Sequence, residues 1–170
     1  MSDTAPVRAF VGVGANLGDA RAQVTRGIAA LRDLPATRLV LSSSLYASAP
    51  VDAPGPDYVN AVVALDTTLG AGPLLRELQR IEALHGRVRS AANAPRTLDL
   101  DLLLYGTQRS DDPALTLPHP RLHRRAFVLV PLLEIAPQLR VERLGELAQW
   151  LPRIDDQRVT RLAAEKEASR

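Results

Sequence analysis

The sequence contains no cysteine. Disulfides, thiolate metal sites and cysteine nucleophiles are excluded together, and a zinc site would have to use histidine and carboxylates alone. Lysine is nearly as scarce: Lys166, in the tail, is the only one. Phosphate bound mid-chain must therefore be gripped by arginine, whose planar fork pairs two oxygens at once. No run approaches the roughly 18 apolar residues of a membrane helix, and Met1 to Pro6 carries no targeting pattern, so the cytoplasm is the expected compartment and no membrane partner is expected. The formal net charge of +2 is too small to argue for nucleic acid by itself.

What is present suffices for one domain. The 170 residues are 46% hydrophobic, enough to bury a core without staples. Ala9 to Val13 reads as a buried first strand ending among Gly12, Gly14 and Gly18. Val24, Ile28 and Leu31 recur at helical spacing, with Pro35 marking the end of that helix. Thr37 to Tyr46 reads as a second strand and Tyr58 to Leu69 as a long third, separated by the proline-rich loop Ala49 to Pro56. Gly72-Pro73 opens a second helix with Leu74, Leu78 and Ile81 as its buried stripe and Gly86 as its stop. Arg87 to Pro95 is a loop, and Thr97 to Tyr105 a fourth strand. After a turn-rich piece, Arg124 to Ile135 reads as a third helix, in which Pro131 must either kink it or start a new one. Leu144 to Leu151 reads as a short fourth helix. Residues 155–170 read as a polar, fraying tail of the single 1–170 domain. The order strand, helix, strand, strand, helix, strand is that of a ferredoxin-like α+β sandwich: a mainly antiparallel sheet with helices packed on it.

The strongest chemical signal is Pro95-Arg96-Thr97-Leu98-Asp99-Leu100-Asp101. On a strand, alternate residues share a face, so Asp99 and Asp101 point the same way, with Leu98, Leu100, Leu102 and Leu104 on the other side. Two carboxylates on an apolar strand are costly without compensating cations, and Mg²⁺, which takes oxygen ligands and keeps room for water and phosphate, is an apt partner. The alternative is a pair of solvated aspartates on an open sheet. Arginines surround the strand: Arg87, Arg89 and Arg96 before or at its start, Arg121, Arg124 and Arg125 beyond it. Metal with arginine is a common arrangement for binding triphosphate, although some of these are surface residues. A sheet that stacks RNA on exposed aromatics is disfavoured, because this strand offers aspartates instead.

Two motifs are excluded. Gly12-Val13-Gly14-Ala15-Asn16-Leu17-Gly18 places its third glycine one position late for a dinucleotide fingerprint, and no G-x-x-x-x-G-K-[ST] exists. His119, in a Pro-His-Pro turn, could donate to a phosphate or simply shape its loop. Tyr58 and Phe127 read first as core. Asn60 shares the face of Tyr58, and an inward amide needs partners; it can give and accept side by side, as a pteridine or purine edge requires.

Taken together these segments resemble the 6-hydroxymethyl-7,8-dihydropterin pyrophosphokinase family. The residues that carry the likeness are Gly14-Ala15-Asn16-Leu17-Gly18, Pro56-Asp57-Tyr58-Val59-Asn60-Ala61, Gln79-Arg80-Ile81-Glu82, Gly86-Arg87-Val88-Arg89, Arg96-Thr97-Leu98-Asp99-Leu100-Asp101, Leu117-Pro118-His119-Pro120 and Phe127 through Pro137. The resemblance implies transfer of pyrophosphate from ATP to a pterin hydroxymethyl group, with release of AMP, in folate biosynthesis. It implies that Asp99 and Asp101 hold two Mg²⁺ ions, and that Arg87 and Arg96 join them in catalysis. Asn60 is then the reader of the pterin edge, Tyr58 and Phe127 its stacking partners, and Ser48 and Val51 further ring contacts. Gln79, Glu82, Arg87, Arg89, Arg96, His119 and Arg125 are implied nucleotide contacts. The expected partners are these small molecules alone, with the chain a monomer. The sequence departs from the family pattern in three places. The loop Ser90-Ala91-Ala92-Asn93-Ala94 lacks a tryptophan and is one residue short, Ala49 replaces a common proline, and Pro120 a common tyrosine. A catalytically silent relative that binds nucleotide and pterin is the alternative.

Overall fold

The computed structural model describes residues 5–50, 55–85 and 98–164. Strand β1 (Val7–Ala15) runs through the middle of the sheet. Its Ala9, Val11, Val13 and Ala15 face one core and Phe10 the other, so its near-continuous apolar run is a strand buried on both sides. Helix α1 (Ala20–Arg32) follows, with the Asp19 carboxylate accepting the Ala22 N–H at 3.0 Å as its N-cap. Val24, Ile28 and Leu31 form its buried stripe, as the spacing predicts. Gly27 lets this helix lie close to the sheet: a Cβ there would stand 2.8 Å from Leu98 Cδ1.

The predicted second strand is divided. Strands β2 (Thr37–Ser42) and β3 (Tyr46–Ser48) both pair antiparallel with β4 (Tyr58–Thr67), one after the other along its length. At the break the Ser43 side chain takes over from the ladder, accepting the Val62 N–H at 2.9 Å. Helix α2 (Ala71–Leu84) buries Leu74, Leu78 and Ile81 and ends at His85; the glycine expected to stop it lies outside the described residues. Strand β5 (Asp99–Tyr105) pairs antiparallel with β1. The order β5, β1, β4, then β2 and β3, with α1 and α2 on one face, is the ferredoxin-like antiparallel arrangement.

One face assignment is corrected. A register irregularity opposite Phe10 and Val11 puts Leu104 on the second face, while Leu98, Leu100 and Leu102 stay on the first. The bulge turns the leucine run over, so that it feeds both cores.

The turn-rich piece forms a hairpin, β6 (Ser110–Asp112) and β7 (Leu115–Leu117). Helix α3 (Ala126–Ile135) covers the second face of the sheet and holds Pro131 in its interior. A two-stranded turn, β8 (Arg140–Val141) and β9 (Gly145–Glu146), leads into a 3-10 segment, Leu147–Ile154, where a fourth helix was expected. The tail expectation also changes. Residues Val159–Arg161 form β10, which pairs antiparallel with β3 and extends the sheet. Leu162 packs against the first core. The short stretch Val159-Thr160-Arg161 carries too little hydrophobic pattern to signal a strand, and its partner edge supplies the ladder. Among the described residues no helix is long and apolar enough to cross a membrane.

Candidate active site

The face of the sheet under α3 carries the polar residues singled out in the sequence. Antiparallel register aligns Tyr46 with Asn60, Asn60 with Gly14, and Gly14 with Asp99. The next row is Val62, Gly12 and Asp101. Gly14 therefore stands between the amide and Asp99, and Gly12 beside Asp101, so that β1 contributes no side chain to either row. Neighbouring strands lie about 4.8 Å apart, which sets the Asn60 and Asp99 backbones about 10 Å from each other across Gly14.

Asn60 is 5% exposed, and its Oδ1 accepts the hydroxyl of Ser48, itself 6% exposed, at 2.7 Å. Its Nδ2 points the opposite way, 3.0 Å from where a Cβ on Gly14 would stand. Tyr58 lies two residues before Asn60 on the same face, opposite Ser48 in register. Phe127 sits in the first turn of α3, half-buried against the second core. The Arg125 guanidinium lies 5.5 Å from the Phe127 ring centroid.

Asp99 and Asp101 are half-buried on β5. His119 reaches the outer edge of that strand, its N–H donating to the Leu103 carbonyl at 2.9 Å. The His119 Nδ1 accepts the Arg121 N–H at 3.1 Å, so its Nε2 carries the proton of the neutral ring. Burial holds its pKa below the usual imidazole range, with Arg125 and Arg121 adding to this and Asp99 opposing it. Burial likewise lowers the Arg125 pKa, assisted by Arg121 and opposed by Asp101 and Asp99. His119, Arg121, Arg125 and the two aspartates thus form one electrostatic group, with cations and imidazole facing carboxylates.

Glu82 has a definite structural partner. It is 4% exposed on α2, and its Oε2 accepts the Leu100 N–H at 2.8 Å. Leu100 lies between the two aspartates, so the carboxylate supplies the acceptor that another strand would provide at the sheet edge. Gln79 is exposed on α2, which packs on the opposite face from Asp99. Val51, Arg87, Arg89 and Arg96 lie outside the described residues.

Sequence reasoning missed Glu134. Its carboxylate, from α3, accepts the Ser44 N–H at 3.0 Å, the Ser44 hydroxyl at 2.9 Å and the Tyr46 hydroxyl at 2.6 Å, with Arg161 at 3.9 Å. One acid in the apolar run Ala126–Ile135 was the available signal. It ties α3 to the strand that carries Ser48.

Two carboxylates on one strand, beside bare glycine backbone, are suitable oxygen donors for Mg²⁺, which fills its other positions with water and phosphate. Among the described residues no group of three or more His, Asp or Glu is arranged around a metal position.

The profile of the 7,8-dihydro-6-hydroxymethylpterin-pyrophosphokinase (HPPK) family matches residues 10–137. A 2-amino-4-hydroxy-6-hydroxymethyldihydropteridine pyrophosphokinase from Pseudomonas aeruginosa is 49% identical over 135 residues, covering 79% of this chain and 83% of the relative. The protein of that name from Haemophilus influenzae is 40% identical over 157 residues, covering 92% of this chain and 98% of the relative. Among solved structures, a Plasmodium falciparum HPPK-DHPS mutant with pterin and p-hydrobenzoate superposes with a TM-score of 0.69 at 12% identity. That superposition covers 90% of this chain but 45% of the Plasmodium chain, and it speaks for the fold alone.

Proposed function

The chain belongs to the 7,8-dihydro-6-hydroxymethylpterin-pyrophosphokinase family, and on that premise we infer that it transfers pyrophosphate from ATP to the hydroxymethyl group of 6-hydroxymethyl-7,8-dihydropterin, releasing AMP. The observation that carries this reading furthest is the row Asn60–Gly14–Asp99. It sets an amide suited to a pterin edge and a carboxylate suited to a metal-bound phosphate on either side of bare backbone.

In the reaction, the hydroxymethyl oxygen forms a bond to the β-phosphorus of ATP. The bond from that phosphorus to the oxygen bridging the α- and β-phosphates breaks, and that oxygen leaves with AMP. The hydroxyl proton leaves to a carboxylate or to water. Such transfers depend on positioning and charge neutralisation more than on covalent chemistry with the protein. Asp99 and Asp101 would hold Mg²⁺, two ions in this reading, which neutralises charge on the phosphate oxygens when bound. Arg125 adds positive charge beside them, and the neutral His119 offers a donor. Asn60 reads the pterin edge, with Tyr58 and Phe127 stacking on the ring. Roles for Ser48, Val51, Gln79, Glu82, Arg87, Arg89 and Arg96 rest on the family likeness of the segments that hold them. A cytoplasmic monomer is part of the same reading.

Chromatography of nucleotides after incubation with ATP and Mg²⁺, with and without the pterin, tests the function. AMP that forms only with the pterin supports it. ADP instead overturns the pyrophosphoryl assignment. No product from a folded, pterin-binding chain supports the silent relative.

A further inference from the structure

Ser48 stands where the family likeness calls for a ring contact, but its hydroxyl is spent elsewhere. It is buried, and it donates to Asn60 Oδ1 at 2.7 Å. We propose that Ser48 is a positioning residue for pterin recognition, locking the Asn60 amide in one of its two orientations; the proposal rests on the pterin reading above.

An isolated asparagine amide can turn over about its last torsion and exchange its oxygen for its nitrogen. For a reader of a flat heterocycle, that exchange replaces an acceptor by a donor and mismatches the ligand edge. Here the two orientations are unequal. In the observed one, Oδ1 faces a hydroxyl donor on β3 and Nδ2 lies over Gly14. Turned over, Nδ2 would face Ser48 Oγ. Ser48 could accept from it only by directing its proton elsewhere, in a site where both residues are buried. One Oδ1 lone pair is already engaged, leaving the other lone pair and the Nδ2 hydrogens for a ligand. The observed order gives a donor on the Gly14 side, toward Asp99.

The surrounding elements hold this lock still. Strand β3 is paired on both sides, with Ser48 opposite Tyr58 in β4 and opposite Val159 in β10. Two residues earlier, Tyr46 is fastened to α3 through Glu134 at 2.6 Å. The position is thus fixed by both neighbouring strands and by the helix that carries Phe127.

A double-mutant cycle tests the proposal. Binding of the oxidised, fluorescent 6-hydroxymethylpterin is measured for wild type, Ser48→Ala, Asn60→Ala and the double variant, each first checked for cooperative thermal unfolding. Ser48→Ala is expected to weaken pterin binding roughly three- to tenfold, the range of one hydrogen bond, with ATP-analogue binding changed less than about twofold. In the Asn60→Ala background the same change should have almost no effect, because the group it orients is gone. Ser48→Thr, which keeps the hydroxyl, should retain most of the affinity. A loss that persists in full in the Asn60→Ala background means that Ser48 touches the ring directly and overturns the proposal. Equal losses of pterin and ATP-analogue affinity also overturn it, since they indicate a general packing defect. A wild-type chain that binds no pterin overturns the functional reading and this proposal with it. Pterin binding by wild type with an additive cycle removes this proposal alone.

Discussion

Asn60 and Asp99 flank Gly14 in a single register row across the sheet, one on each neighbouring strand. The row joins two kinds of chemistry. An amide able to give and accept hydrogen bonds side by side sits on β4, and a carboxylate suited to a hard cation sits on β5. Neither strand alone would suggest transfer between two ligands; β1 brings them together and contributes no side chain between them.

The proposed role of Asn60 requires the bare backbone at Gly14. A Cβ at this position would stand 3.0 Å from Asn60 Nδ2. Gly14→Ala is expected to displace the amide and raise the pterin KM about tenfold, with the ATP KM changed little. Overpacking of this kind costs about 1–3 kcal/mol, so thermal unfolding should show a modest loss. Unchanged pterin KM in the alanine variant would mean that the amide has room to move without consequence.

Phe127 packs partly into the second core, yet it also lies under Arg125 in the first turn of α3. If it stacks on the pterin, Phe127→Ala should weaken pterin binding about tenfold, for ~1–2 kcal/mol of lost contact, and leave ATP-analogue binding largely intact. Calorimetry with each ligand separates the two roles. Equal losses would identify Phe127 as a core residue.

Glu82 holds the backbone of Leu100 between the two aspartates. Glu82→Leu leaves a buried N–H without its acceptor and is expected to cost about 1–3 kcal/mol of stability. Glu82→Gln keeps an acceptor oxygen and should recover most of that loss. Denaturant unfolding of both variants checks this. Equal destabilisation would show that the charge of Glu82, and not its role as acceptor, is what the fold needs.

Glu134 gives the molecule a pH-dependent tie between α3 and β3. Burial raises its pKa, but the bonds from Tyr46 and Ser44 and the charge of Arg161 outweigh this and leave it below the usual carboxylate range. A depressed folded pKa means stability that is present above the unfolded value, near 4.3, and lost as pH falls through the folded one. Tyr46 is pushed up to about 12, by burial first and then by the bond to Glu134. Its contribution is present below the unfolded value, near 10, and lost as pH rises through about 12. Glu134→Gln should lower Tm by roughly 2–8 °C at neutral pH, for ~1–2 kcal/mol. The gap from wild type should close in acid; a gap of constant size down to pH 2 would contradict the assignment.

Much of this was legible in the sequence, and the exceptions share a physical cause. Helical spacing located α1 and α2, and the period of two placed Asn60 on the face of Tyr58 and Asp99 on the face of Asp101. The same period misplaced Leu104, because one bulge in β5 reverses the alternation and a bulge leaves no mark in a run of leucines. Strand β10 was hidden because its residues are ordinary tail residues until β3 offers them an edge. The resemblance implies ligand contacts around Ser48 and at Glu82, and the intramolecular partners of these two side chains, Asn60 and the Leu100 N–H, went unread. Such partnerships depend on which groups the fold leaves short of hydrogen bonds, and local pattern carries no record of that.

The most direct test of the account is the fate of isotope in the β-phosphate. ATP labelled at the β-phosphorus is mixed with the chain, Mg²⁺ and 6-hydroxymethyl-7,8-dihydropterin under single-turnover conditions, and the products are separated. The account predicts that the β label appears in the pterin product, in step with unlabelled AMP. Retention of the label in ADP would show that only the terminal phosphate moves, and would contradict it.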